Sequence, residues 1–258
     1  MTNAEQQMRS MVGLPPGYIT RINCLDKGFV ELVNFTSEPD LFIAQCAKVD
    51  PHADWRHRTI DEMTGKENFN DERLINHLVK NKHSTPIEKV DFVFHVKAPI
   101  FVYRQWHRHR TQSYNEESAR YKVMKPDFYY PDPENIGQQS KKNHQGRELE
   151  TKLSDHDLHL IRGEVLRVER HCKETYILYE KLLKGGWPRE LARMVLPVNL
   201  YSEMIAKANL WNWFKFLELR LDPHAQYEIR VYAEAILELI TPLAPETVAA
   251  WLDSIGGL

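Results

Sequence analysis

From Arg108 to Tyr121 the chain reads Arg-His-Arg-Thr-Gln-Ser-Tyr-Asn-Glu-Glu-Ser-Ala-Arg-Tyr. Cations, an imidazole, two adjacent carboxylates and several hydroxyls crowd into one short window. A solvated surface face usually spaces its charges with small fillers. The segment is also too polar to be core. Such a set of groups can grip a polyanion and a planar polar ring. Guanidinium forks suit phosphate or imide oxygens, and Ser, Asn and Glu add neutral or accepting partners. Further arginines, Arg193 and Arg220, stand on segments far away in sequence.

Several elements must bring these residues together. Residues 19–25 and 29–35 flank Asp26-Lys27-Gly28, a hairpin signal. Glu38-Pro39 opens a helix running to Val49, and Leu74, Ile75, Leu78 and Val79 mark a second by their three-and-four spacing. Thr85-Pro86-Ile87-Glu88 has the form of a capping box on a short helix, with Pro at its first position. Val90, Phe92, Phe94 and Val96 alternate with polar residues, which is strand behaviour. Pro99 starts a helix that would place Gln105, Arg108 and His109 on one face. Residues 126–150 read as a surface excursion. A long amphipathic helix over 158–183 stops at Gly185-Gly186. Pro188 restarts a helix carrying Arg189 and Arg193. Residues 197–206 suit a strand, and 210–219 and 225–240 suit helices. The order reads as α+β, a mixed or antiparallel sheet flanked by helices. It forms a single domain over 19–258 behind an extended arm, 1–18.

Bulk properties narrow the function. The net charge of −2 argues against a general nucleic-acid coat. Cys24, Cys46 and Cys172 read as reduced residues, not a disulfide frame. No apolar run reaches membrane length. The start lacks the form of a signal peptide. The expectation is a cytoplasmic protein, or one of host cytoplasm if viral. None of the eleven glycines forms a GxGxxG or a P-loop, so a Rossmann flavoprotein is excluded. His107 and His109 lack the His-Glu-x-x-His spacing of a zinc hydrolase, and no metal is expected.

Arg108-His109-Arg110, then Ser118, with Asn115-Glu116 inside and Arg120-Tyr121 behind, resembles the signature of the flavin-dependent thymidylate synthases. The resemblance runs from about Asp26 to Gln226. It implies a thymidylate synthase-complementing-protein-like fold and reductive methylation of dUMP to dTMP. It further implies 5,10-methylenetetrahydrofolate as carbon donor, FAD as hydride carrier, NADPH as reductant, and a homotetramer with shared active sites. Without a Rossmann unit, NADPH would bind transiently.

The same resemblance implies the roles of single residues. Arg220 would polarise the pyrimidine. Gln105, Arg108, Glu116, Glu117, Ser118, Ala119, Arg120, Arg193 and Arg220 would hold dUMP. His83, Thr85, Arg108, His109, Arg110, Glu116 and Asn209 would hold FAD. Trp211 and Lys215 depart from the family pattern, which has Arg and then Asn or His there; Lys215 could pair with a flavin phosphate and Trp211 could stack on a ring.

Chemistry supplies a parallel argument. Methylating C5 of uracil needs an electron-rich C5. Either a cysteine adds at C6, or a fixed cation stabilises charge over the imide. The Pro-Cys context of cysteine-dependent thymidylate synthases is absent here, and Arg suits the second route. Each residue also has a plainer reading. Arg220 could serve a helix C-terminus, Arg193 could be an exposed helix charge, Thr85 a plain N-cap and His83 a structural histidine. Ser118 lacks a His-Asp relay and reads as a binding residue. The rival at the level of the whole chain is a non-catalytic nucleotide- or RNA-binding protein using the same basic-aromatic segment.

Overall fold

Alternation of apolar and polar residues builds the central strand, and that strand organises everything else. The computed structural model describes residues 14–52, 59–60, 67–68, 70–140, 146–148 and 153–257. In chain order these give β1 (Arg21–Cys24), β2 (Gly28–Phe35), α1 (Pro39–Lys48), β3 (Thr59–Ile60), β4 (Glu67–Asn68), α2 (Asn70–Lys80), α3 (Ser84–Ile87), β5 (Asp91–Pro99) and α4 (Ile100–Trp106). There follow β6 (Ser113–Glu116), β7 (Gln138–Gln139), β8 (Arg147–Glu148), α5 (Asp155–Lys184), α6 (Arg189–Ala192), β9 (Tyr201–Asn209), α7 (Leu210–Arg220), α8 (Tyr227–Ile240) and α9 (Pro245–Ile255).

The main sheet has the order β1-β2-β5-β9-β6, and every pairing in it is antiparallel. The expected α+β class therefore holds, with the sheet purely antiparallel. On β5, Phe92, Phe94, Val96 and Ala98 are fully buried. They meet Trp106, Trp213, Phe216 and Tyr232 from α4, α7 and α8 in one core. Burying each such aromatic contributes roughly 1.5–3 kcal/mol. The opposite face carries His95, whose ring lies 2.9 Å from Glu203 and 3.6 Å from Glu31. A second core forms around α5 from Met124, Phe128, Cys172, Tyr179, Ala192 and Leu200.

Local chemistry fixes the element ends. The long helix α5 is capped by Ser154, whose Oγ accepts from the Asp157 N–H at 3.1 Å. It stops where Gly186 turns left-handed at φ 84 and the Trp187 N–H returns to the Leu182 carbonyl at 3.0 Å. In the first hairpin the turn spans 25–27 and the left-handed residue is Leu25, at φ 54. Gly28 opens β2 because a Cβ there would collide with the Tyr232 hydroxyl.

Some expectations need correction. Thr85 is not an N-cap: α3 begins at Ser84 with His83 in the cap position. The Glu88 N–H donates to the Ser84 carbonyl, so the capping box is not made. Pro99 ends β5 and precedes α4, which stops at Trp106. Arg108 and His109 therefore lie in the turn beyond the helix rather than on its face. The strand expected over 197–206 starts at Tyr201 and runs on to Asn209, because 197–200 form a turn in which the Leu200 N–H donates to the Pro197 carbonyl at 3.1 Å.

Residues 126–130 are not a surface excursion, since Phe128 and Tyr129 are buried and Phe128 bridges to Leu200. The rest of that segment includes 141–145 and 149–150, outside the described residues. The same holds for 1–13 of the expected arm, whereas Tyr18 is tied by its hydroxyl to the Leu239 carbonyl. Helix α9 has no counterpart in the sequence reading. Its start is capped from a distance by buried Asp40, which accepts from the Glu246 N–H at 2.9 Å and the Thr247 N–H at 3.2 Å.

Candidate functional site

Arg220 ends α7 half-buried, with each of its three guanidinium nitrogens donating one hydrogen bond within the protein. Its Nε donates to His109 Nε2 at 2.9 Å. Its Nη1 and Nη2 donate to the side-chain and backbone oxygens of Gln105 at 3.3 and 3.2 Å. An arginine serving only a helix end would bond its own carbonyls. This one reaches across to the end of α4 and the turn after it, so its plane is set by two other elements.

His109 accepts from a cation, so its Nε2 carries no proton and the neutral ring holds its proton on Nδ1. Burial, and then the nearby Arg220 charge, push its pKa down to about 4. The imidazole is thus neutral at physiological pH. Its ring packs edge-on against Phe216, with centroids 4.8 Å apart. Burial also lowers the Arg220 pKa. A partly desolvated cation fixed in this way acts on an anionic or imide neighbour far more strongly than one in water.

Behind this pair runs a line of polar groups. Gln105 Nε2 donates to Gln226 Oε1, and Gln226 Nε2 donates to Glu228 Oε2 at 2.9 Å. Glu228, only 2% exposed, also accepts from Arg147 at 2.9 Å and from the Tyr129 hydroxyl at 3.1 Å. Reading the sequence assigned no role to Gln226, Glu228, Tyr129 or Arg147. The buried position of Glu228 on an apolar face of α8 was the only available signal.

The rest of the signature follows along the sheet edge. β6 pairs with β9, Glu116 opposite Met204, and the Glu117 N–H continues the ladder to the Glu203 carbonyl at 2.8 Å. Glu117 Oε1 accepts from the Glu203 N–H at 3.2 Å, while Lys122 lies 3.6 Å from its other oxygen. Ser118 turns the chain: its Oγ accepts from the Arg120 N–H at 3.3 Å. Ala119 packs on the second core, and so do Ala192 and Val195, which flank Arg193. That core therefore carries Ser118, Arg120 and Arg193 on its margin. Arg120 and Arg193 are exposed; the first meets the Tyr121 hydroxyl and the second its own helix at the Glu190 carbonyl.

Arg108 and Arg110 are exposed beside His109, and among the described residues neither guanidinium has a side-chain partner. Asn209 caps α7, its Oδ1 accepting from the Asn212 N–H at 2.9 Å. Lys215 lies over the Trp211 ring at 5.9 Å on the same helix. His83 and Thr85 are exposed at α3, the His83 ring edge-on to His77 at 5.7 Å. They make no hydrogen bond to the Arg220 group among the described residues. The structure thus brings Gln105, His109 and Arg220 into direct contact. Ser118 to Arg120 and Arg193 border the second core, Glu116 and Glu117 lie along the sheet edge against β9, and Thr85, His83 and Asn209 stand apart on other elements.

The cysteines lie elsewhere. Cys24 is buried on β1, where desolvation pushes its thiol up to about 12. Cys172 is buried in α5, hydrogen-bonded to Asn199. No group of three or more His, Cys, Asp or Glu among the described residues could hold a metal. No helix among them is long and apolar enough to cross a membrane.

The fold is thus an antiparallel α+β one with a preset arginine–imidazole pair and exposed arginines beside it. The thymidylate synthase complementing protein family matches residues 31–246. A flavin-dependent thymidylate synthase of Thermus thermophilus is 45% identical over 234 residues, covering 91% of this chain and 79% of that protein. The one of Rickettsia prowazekii is 42% identical over 241 residues, covering 89% and 77%. A solved structure of the UMP/dUMP methylase PolB from Streptomyces cacaoi, bound with 5-Br UMP, superposes with a TM-score of 0.74 at 32% identity, covering 90% of this chain and 97% of that one. The chain belongs to the thymidylate synthase complementing protein family, that of the flavin-dependent thymidylate synthases, and is an enzyme of that type.

Proposed function

We propose that the chain methylates dUMP to dTMP with 5,10-methylenetetrahydrofolate as carbon donor, FAD as hydride carrier and NADPH as reductant, and without a cysteine nucleophile. The observation that carries this reading is the fixed Arg220, held by His109 and Gln105 at 2.9 to 3.3 Å. A cation so placed lowers the energy of a pyrimidine whose negative charge spreads over O2, N3 and O4. It thereby enriches C5 for attack on the one-carbon unit without a covalent adduct at C6. The burial of Cys24 and Cys172 away from this group supports the same route.

The remaining residues bind and orient. Ser118, Arg120 and Arg193 on the margin of the second core suit a nucleotide phosphate, with Glu116, Glu117 and Ala119 completing the wall. Gln105, Arg108 and Arg220 would meet the base and sugar. FAD, when bound, supplies the redox-active ring that passes a hydride. The donor set fits it: Arg108 and Arg110 are exposed and unpaired among the described residues, as diphosphate ligands must be before they bind. His109, Glu116, His83, Thr85 and Asn209 complete the proposed flavin contacts, with Lys215 as a further cation. Neutral His109 orients Arg220 without adding a second charge that would repel it.

Arg108, Arg110, Arg120 and Arg193 are exposed, and large apolar side chains are exposed on and beside α5. Leu166 is 64% exposed and Met194 is 66% exposed. Both facts support a homotetramer in which other copies complete each active site. A cytoplasmic location fits this reading. The test is a visible spectrum of the protein loaded with FAD, followed by anaerobic NADPH with and without dUMP. Faster bleaching of the flavin with dUMP is expected. A flavin that never binds would overturn the reading.

A further inference from the structure

We propose that Glu228 is a positioning residue that sets, through Gln226, which end of the Gln105 amide faces Arg220. This inference rests on the reading of Gln105 and Arg220 as substrate contacts.

A carboxylate only accepts hydrogen bonds. One oxygen of Glu228 is taken by the Arg147 guanidinium and the Tyr129 hydroxyl, at 2.9 and 3.1 Å. The other must then receive a donor, and Gln226 Nε2 provides it at 2.9 Å. With its nitrogen committed, Gln226 turns its oxygen to Gln105. Gln105 in turn must give its nitrogen to Gln226, which leaves its oxygen for Arg220 Nη1 at 3.3 Å. Two amides in series thus carry a donor–acceptor sense from a buried carboxylate to the guanidinium. Each could otherwise flip at little cost, because amide oxygen and nitrogen are nearly equal in shape. Glu228 is 2% exposed, so water does not compete for its oxygens. Arg147 anchors the line from the far side as the counter-charge.

The hydrogen-bond line constrains substitutions at both residues. In Glu228→Gln, Arg147 and Tyr129 still require an oxygen, so the new amide must turn its nitrogen to Gln226. Gln226 then presents oxygen to residue 228 and nitrogen to Gln105. Gln105 is left with its own nitrogen against Arg220, donor facing donor. Exchanging the two groups, Glu228→Gln together with Gln226→Glu, restores the original sense: the residue 226 carboxylate accepts from both sides, and Gln105 again offers its oxygen to Arg220. Loss of a buried charge with a purely structural role would not be repaired in this way.

The experiment uses the FAD-loaded full chain. KM for dUMP and kcat are measured for both variants, and the His109 ring is titrated by NMR in ¹⁵N-histidine-labelled protein, assigned with His109→Gln. For Glu228→Gln the expected result is a rise in KM of about tenfold or more, the scale of losing a hydrogen bond to a charged group. Displacement of Arg220 should also raise the His109 pKa. In the exchanged double variant both readouts return to within about threefold of the parent or its equivalent shift. Should Glu228→Gln not fold, Gln226→Met breaks the line while leaving the Glu228–Arg147 pair, and the same KM rise is expected. An unchanged KM and His109 titration in these variants, or a double variant no better than the single, overturns the proposal. A parent protein inactive on dUMP, whose His109 titration nevertheless shifts and recovers as described, would remove the methylation reading and leave the relay standing.

Discussion

At the scale of single residues, Arg220 carries most of the meaning. Its guanidinium is engaged by groups from two other elements, so its removal has two separable effects. Arg220→Ala is expected to abolish methylation, a loss of about a hundredfold or more on the scale of deleting one preorganised electrostatic stabiliser. FAD should still bind. The same variant should raise the His109 pKa above about 4 without restoring it fully, because burial is the larger cause of the depression. Unchanged turnover would sink the assigned role.

The histidine also links to stability. Its folded pKa lies below the ordinary 6.5, so the unfolded chain binds the proton more readily. Its contribution is therefore intact above pH 6.5 and is lost as pH falls from there toward about 4. Urea midpoints at pH 7 and pH 5 should differ less in His109→Gln than in the parent. Equal differences would show that His109 does not refuse the proton in the fold.

At the scale of elements, residues with more than one role need separating. Asn209 is a suggested flavin contact, yet its Oδ1 is spent capping α7. Asn209→Ala should cost about 1 kcal/mol of stability, read as a lower urea midpoint, whatever it does to the flavin. Asn209→Asp, which keeps a capping oxygen, should recover the stability. Failure to recover would mean that the cap is not what the residue supplies.

The elements themselves were legible where period and punctuation agreed. β5 alternates cleanly because one face is core, and α5 carries both a Ser cap and a Gly-Gly stop. Legibility failed where the deciding partner is distant in sequence. Helix α9 is capped by Asp40, some two hundred positions earlier, and no local pattern announces that. Thr85 had the right neighbours for a capping box, but the Glu88 N–H is taken by Ser84. The segment 126–130 opens a Pro-rich polar stretch that reads as a loop, yet Lys97 holds Asp127 at 2.7 Å and Phe128 enters the second core.

At the scale of the whole molecule, the candidate site divides in the same way. The Arg-His-Arg window and its Ser118 were visible as a polar island in sequence. The contact of Arg220 with His109 and Gln105 was not, because it joins α7 to the turn after α4. Nor was the line back to Glu228, a buried carboxylate in the first turn of α8. The two cores explain the layout: one fixes the arginine–imidazole pair, and the other carries Ser118, Arg120 and Arg193. The most direct test is to incubate the purified chain with dUMP, NADPH, FAD and 5,10-methylenetetrahydrofolate labelled with ¹³C at the methylene carbon, and to weigh the nucleotide product by mass spectrometry. The account predicts dTMP carrying the labelled carbon, formed equally by a variant with Cys24, Cys46 and Cys172 all replaced by Ala. Absence of labelled dTMP from the parent, or from a folded cysteine-free variant alone, would contradict it.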